Sequence, residues 1–183
     1  MEVFTRKVRY MGPSPATETR DATDLSIDTT AAETTLFTFS IDAGKLDGDV
    51  GIRCVIFGAW KNDSGGSVVT TIRVKLGATT MWQDDFTAAD ATPEAPFMFA
   101  FDVKGKNSDA AQELDGVIGI VSRASAPTTG TGAIAAGMDA DVVIHGEAAE
   151  DATDVLDFSV TIDMDTSHAD AWWKHRKSHV EVI

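Results

Sequence analysis

The sequence predicts an all-β protein, an antiparallel sandwich of two sheets, and three observations predict it. Apolar residues recur with a period of two. Val68, Thr70, Ile72, Val74 and Leu76 alternate with Val69, Thr71, Arg73 and Lys75, so each set takes one face of a strand. Turn-forming residues separate such stretches, among them Asn62-Asp63-Ser64-Gly65-Gly66 and Gly77-Ala78. No stretch longer than about ten residues has helical period. Roughly eight or nine strands suit two packed sheets with jelly-roll or related Greek-key connections, the jelly roll being favoured.

The chain has 183 residues, enough for one sandwich with a sizeable core and too few for two comfortable domains. Two parts are expected: an extended N-terminal arm and connector over 1–30 and the sandwich over 31–183. Val3–Tyr10 reads as a weakly alternating strand in which Val3, Phe4, Val8 and Tyr10 stand among Arg6, Lys7 and Arg9. Gly12–Asp24, rich in Pro, Thr and charge, has no apolar face to bury and is expected to be an extended connector.

Thr34–Ile41 places Phe37, Phe39 and Ile41 on one parity of a strand, and Val50, Ile52, Cys54, Ile56 and Trp60 do the same in the next. The stretches Val50–Trp60, Val68–Leu76 and Thr79–Gln83 read as three successive antiparallel strands. Asp84–Pro96 is expected to be a polar connection between sheets. Pro96–Val103 carries Phe97, Phe99, Phe101 and Val103 on one parity. Leu114–Ser122 reads as a buried strand, and Arg123–Met138 as a long loop of small residues. Asp141–Ala149 and Asp154–Met164 are expected to form a hairpin around Glu150-Asp151-Ala152. Trp172–Ile183 closes the chain.

The formal charge of −14 is unevenly spread. Residues 1–20 carry a net +2, residues 172–183 also +2, and the stretch between them −18. An acidic body of this kind repels nucleic acid. No apolar run approaches the ~20 residues of a membrane span. The N-terminus lacks the apolar core of a secretory signal, so synthesis in the cytoplasm is expected. The single cysteine, Cys54, sits on an apolar parity and reads as a small buried hydrophobe. The basic ends are suited to gripping an acidic surface. Phe4, Arg6, Lys7, Arg9 and Tyr10 at one end, with Trp172, Trp173, Lys174 and Arg176 at the other, are the expected partner-binding residues.

Catalytic chemistry finds little support. His175 and His179 lie four apart, but on a strand that spacing separates them by about 13 Å, too far for one zinc ion. Neither Asp163, Asp165 and Asp170 nor Asp84, Asp85 and Asp90 has the spacing of an EF-hand. Ser122 and Ser125 sit in no nucleophile elbow, and no phosphate-binding glycine loop occurs. The expectation is a protein that is no enzyme, with no cofactor and no metal.

One stretch carries a resemblance. Leu36-Phe37, Phe39, Ile41, Ala43-Gly44, Leu46, Arg53, Gly58, Asn62, Ser64-Gly65, Arg73–Gly77 and Trp82 follow a pattern similar to that of small virion proteins of tailed bacteriophages. The match covers about residues 34–121 and 154–183. Such proteins resemble jelly-roll capsid cement, or decoration, proteins. The resemblance implies a structural protein on the capsid surface that binds the major capsid protein, stabilises the head shell and works as a homotrimer. From the charge and the lack of a long apolar run, no nucleic-acid or membrane partner is expected. A domain of a tail fibre, baseplate or head fibre that binds host surface glycan is the alternative.

Overall fold

The computed structural model describes residues 18–28, 30–46, 50–88, 90, 92–106, 110–120 and 140–183. They form ten strands: β1 (Glu18–Ile27), β2 (Thr34–Ile41), β3 (Gly51–Asn62), β4 (Val68–Leu76), β5 (Thr79–Ala88), β6 (Thr92–Gly105), β7 (Gln112–Ile120), β8 (Ala140–Ala148), β9 (Leu156–Met164) and β10 (Ala171–Val182). Two antiparallel sheets result, one in the order β1-β10-β3-β6-β7-β8 and the other β2-β9-β4-β5.

The pairings are nested. β1 pairs with β10, β2 with β9, β3 with β6 and β4 with β5. The chain is thus one long hairpin with its tip at Gly77-Ala78, rolled so that successive segments fall in opposite sheets. This is a jelly roll. The hairpin β7–β8 is added outside β6 and widens the larger sheet.

At the tip Gly77 has φ +55°, a conformation that glycine adopts without the clash a Cβ brings. Beside it the Glu150 carboxylate accepts the N–H groups of Ala78 and Thr79. The peptide group of Glu150 is held in turn by the buried Gln112 side chain. Its N–H donates to Gln112 Oε1 at 3.0 Å, and its carbonyl accepts from Gln112 Nε2 at 3.0 Å. One residue therefore ties the added hairpin to the tip of the roll.

The same ties explain two corrections. β8 and β9 do not form a hairpin, because the segment around Glu150 carries the chain from the larger sheet to the smaller. Nor are β3, β4 and β5 three successive partners, since β3 belongs to the larger sheet. At that crossing the buried Asn62 side chain donates to the carbonyls of Gly66 and Ala88 and accepts from the Ser64 hydroxyl. The turn residues from Asn62 to Gly66 serve a change of sheet.

Two further expectations are corrected. Asp84–Ala88 continues β5, with Phe86 and Ala88 buried between polar neighbours. The expected connector is a strand from Glu18 onward, hydrogen-bonded along the edge of β10. An edge strand gains its place through backbone pairing and needs little apolar side chain of its own. Met1–Thr17 and the loop Arg123–Met138 lie outside the described residues.

The core lies between the sheets. Trp60 stacks on Trp173 with centroids 5.8 Å apart, and Phe86 of the opposite sheet meets both edge-on. Phe97, Phe99 and Phe101 continue the layer along β6 as their parity predicts. A bulge at Leu36 turns both Leu36 and Phe37 inward, so two consecutive residues of β2 enter the core. Cys54 is buried in the same core, and burial pushes its thiol pKa up to about 12.

Candidate functional site

Among the described residues, the broadest feature able to meet another molecule is the outer face of the larger sheet. The register lines its side chains into rows across β10, β3, β6, β7 and β8. The central row is His179, Val55, Ala100, Val117 and Val143. Next to it on one side lie Lys177, Phe57, Met98 and Gly119, followed by Lys174, Ala59 and Pro96. On the other side lie Glu181, Arg53, Asp102, Asp115 and His145, followed by Gly51, Lys104, Glu113 and Glu147. Alternation along each strand turns the intervening residues inward and these toward the outer face, where Gly51 and Ala59 are nonetheless covered by their neighbours.

The centre of this face is apolar and open to solvent. Phe57 is 41% exposed, Met98 40% and Val143 80%, far above the values of side chains in the core. One corner is cationic and aromatic. Lys174 Nζ lies 4.3 Å from the centre of the Trp172 ring, a cation–π contact. The diagonal corner is a charge ladder. Arg53 donates two hydrogen bonds of 2.8 Å to the Asp102 carboxylate, and Lys106 lies 2.6 Å from Glu147.

Within that ladder Glu113, Asp115 and His145 bring ligand atoms within 4.8 Å of one another, a spacing able to hold one divalent ion. Lys104 already lies 3.6 Å from Asp115 and 3.9 Å from Glu113. His145 Nδ1 is 3.0 Å from Asp115 Oδ1, and that hydrogen bond holds the imidazole pKa above its ordinary value and the carboxyl below its own. The sequence analysis missed this trio. The signal present was Glu113 and Asp115 sharing a parity; the pairing of Asp115 with His145 is a matter of register.

The expected partner-binding residues are only partly brought together. Phe4, Arg6, Lys7, Arg9 and Tyr10 lie outside the described residues. Trp172 and Lys174 point to the outer face, but Trp172 is only 9% exposed, its ring covered in part by Lys174. Arg176 occupies a bulge in β10 and reaches Glu94 at 2.7 Å. Trp173 is a correction: it is 2% exposed, packed among Trp60, Phe86 and Phe97, and donates its ring N–H to Thr70. Its parity points into the sandwich, so it is unable to meet a partner.

The same bulge decides the histidines. His175 faces inward against Phe37, while His179 faces outward in the central row, so the two do not share a face. The aspartates weighed as calcium ligands include two that accept backbone N–H groups. Asp90 accepts the N–H of Gly65 at 2.8 Å, and Asp165 accepts that of Val69 at 3.0 Å. Between the sheet edges Trp82, Asp84, Phe86, Ile118 and Val142 line a groove of about 30 Å³, space for a water or two and not for a sugar ring.

The architecture and this open face define the chain as a jelly-roll β-sandwich protein with an extended sheet surface. No protein-family model matches the chain. No curated protein matches it either. Among solved structures it is similar to the VP2 subviral particle of infectious bursal disease virus, at 14% identity and a TM-score of 0.34, over 92% of this chain and 33% of that one. The Gt strain of infectious bursal disease virus gives 14% identity and a TM-score of 0.34 over 100% of this chain and 38% of that one. The chain thus spans about a third of the length of these proteins. A likeness this loose says nothing of family or function.

Proposed function

We propose that this chain is a structural protein of a virion, a capsid decoration protein that grips the head shell and works as a small oligomer. It acts by binding and carries out no reaction. The observation that carries the reading is the pairing of β1 with β10, which sets Glu18, where the described chain begins, beside the end of the chain in an acidic protein. The first described residue, Glu18, stands opposite Val180, so the segment bearing Phe4, Arg6, Lys7, Arg9 and Tyr10 leaves from beside the C-terminus. An alternating apolar and cationic segment in that place is suited to adding a strand to an acidic neighbour's sheet. The pattern of residues 34–121 that resembles phage virion proteins supports the same reading, with the major capsid protein as partner and the capsid surface as location.

The test is location and occupancy. Quantitative gels of purified particles should give hundreds of copies per virion, spread over the head. Protein lacking residues 1–17 should fold and bind shells at least tenfold more weakly. A few copies confined to the tail, or equal occupancy by the truncated chain, would sink the proposal.

A further inference from the structure

We infer that Glu113, Asp115 and His145, on the outer face of the β7–β8 pair, form a binding site for one divalent transition-metal ion of the zinc class. This departs from the sequence expectation of no metal. It also goes beyond the virion reading and does not depend on it.

Strand register builds the site. β8 is the edge strand of the larger sheet, and β7 is its neighbour there. Glu113 and Asp115 stand two apart on β7 and share a face, while Asp115 lies directly opposite His145 on β8. Opposed side chains of an antiparallel pair start about 5 Å apart and diagonal ones about 7 Å apart, so Glu113 also reaches the imidazole. The ligand atoms of all three residues lie within 4.8 Å of one another. His145 Nδ1 is 3.0 Å from Asp115 Oδ1 and 3.8 Å from Glu113 Oε1. Ligand atoms about 2.0–2.2 Å from a tetrahedral ion are separated by roughly 3.4 Å. The two distances bracket that value, and small shifts of exposed side chains admit an ion. Binding through Nδ1 leaves the ring proton on Nε2.

Charge favours a cation at this point. In the neighbouring rungs Arg53 holds Asp102 at 2.8 Å, and Lys106 holds Glu147 at 2.6 Å. Glu113 and Asp115 share one lysine, Lys104, at the longer distances of 3.9 and 3.6 Å. Exposed ion pairs of that length contribute little. Lys104 approaches Glu113 Oε2 and Asp115 Oδ2, whereas the imidazole faces Oε1 and Oδ1. The lysine therefore holds the other oxygen of each carboxylate and leaves the histidine side to the ion.

The donor set selects the metal. One imidazole nitrogen and two carboxylate oxygens suit Zn²⁺ and the ions beside it, with water completing a four-coordinate shell. Calcium takes about six to eight oxygen ligands and magnesium a near-octahedral oxygen shell, which this trio does not supply. His168 and His179 each have one carboxylate within 4.0 Å, Asp170 and Glu181 respectively, and so start with a poorer donor set. An ion at His145 ties the edge strand to β7 through side chains as well as through the backbone ladder.

Isothermal titration of ZnCl₂ into the full chain, first stripped with chelator, tests the inference. One equivalent is expected to bind with a micromolar dissociation constant, and millimolar CaCl₂ or MgCl₂ should not compete. Co²⁺ in place of zinc should give the visible bands of a four-coordinate ion. His145→Ala and Asp115→Asn, both at exposed positions and so harmless to the fold, should each weaken binding at least about tenfold. His179→Ala should leave it unchanged, and Lys104→Ala should tighten it by removing a nearby positive charge. Zinc should raise the melting temperature of the parent and not that of His145→Ala. Three results would each overturn the inference: no binding in the micromolar range, a preference for Ca²⁺, or several weak equivalents that survive His145→Ala, the mark of diffuse attraction to an acidic surface. Because no capsid is needed, failure here is distinguishable from failure of the virion reading.

Discussion

Glu150 accepts the backbone N–H of Thr79 at 2.9 Å, across 71 positions of sequence. Together with the 3.1 Å bond from Ala78, this clasps the tip of the rolled hairpin to the segment that joins the two sheets. Glu150→Ala is expected to destabilise the protein by roughly 1–2 kcal/mol, the scale of charge-assisted bonds in a half-exposed setting. Glu150→Gln keeps an acceptor and should cost less. Urea unfolding checks both; equal losses for the two variants would mean that the side chain acts by packing alone.

Gly58 of β3 faces the core under the ring of Phe97 and against the Lys174 carbonyl, so an added Cβ would collide with both. Phe97 is locked by Phe99 and Trp173, and the carbonyl belongs to a ladder strand. Neither is free to give way. Gly58→Ala should therefore cost more than about 3 kcal/mol, at the severe end for a single substitution. A thermal melt within a few degrees of the parent would contradict the packing described.

His175 is buried, and its Nε2 has no hydrogen-bond partner. Burial lowers its pKa from the ordinary 6.5, only partly offset by a bond to the backbone of Lys177. The unfolded chain then binds the proton more readily than the folded one. The stability tied to this group is complete above pH 6.5 and declines as the pH falls below it toward the lowered folded value. The slope contributed by one such group does not exceed about 1.4 kcal/mol per pH unit. Stability measured from pH 7.5 to 5 should fall in the parent, and His175→Phe should flatten that portion of the curve. An unchanged slope would assign the acid sensitivity elsewhere.

How much of this was legible in the sequence differs by level. Alternation in Val68–Leu76 and in Phe97–Val103 determined strands, their inward faces and an all-β sandwich, because side-chain direction along a strand depends only on local parity. It also determined that Cys54 is buried. Bulges escaped it: the extra residues Leu36 and Arg176 shift parity, bringing Leu36 and Phe37 inward together and setting His175 and His179 on opposite faces. Pairing was beyond it too. Which strand lies beside which is decided by contacts distant in sequence, such as Asn62 with Ala88 or Gln112 with Glu150, and those carried β3 and β8 away from the neighbours that chain order suggested. The outward rows depend on such pairings. Phe57, Met98, Val117 and Val143 are unremarkable one by one in the sequence, and become a single surface only when four strands from separate parts of the chain are set in register.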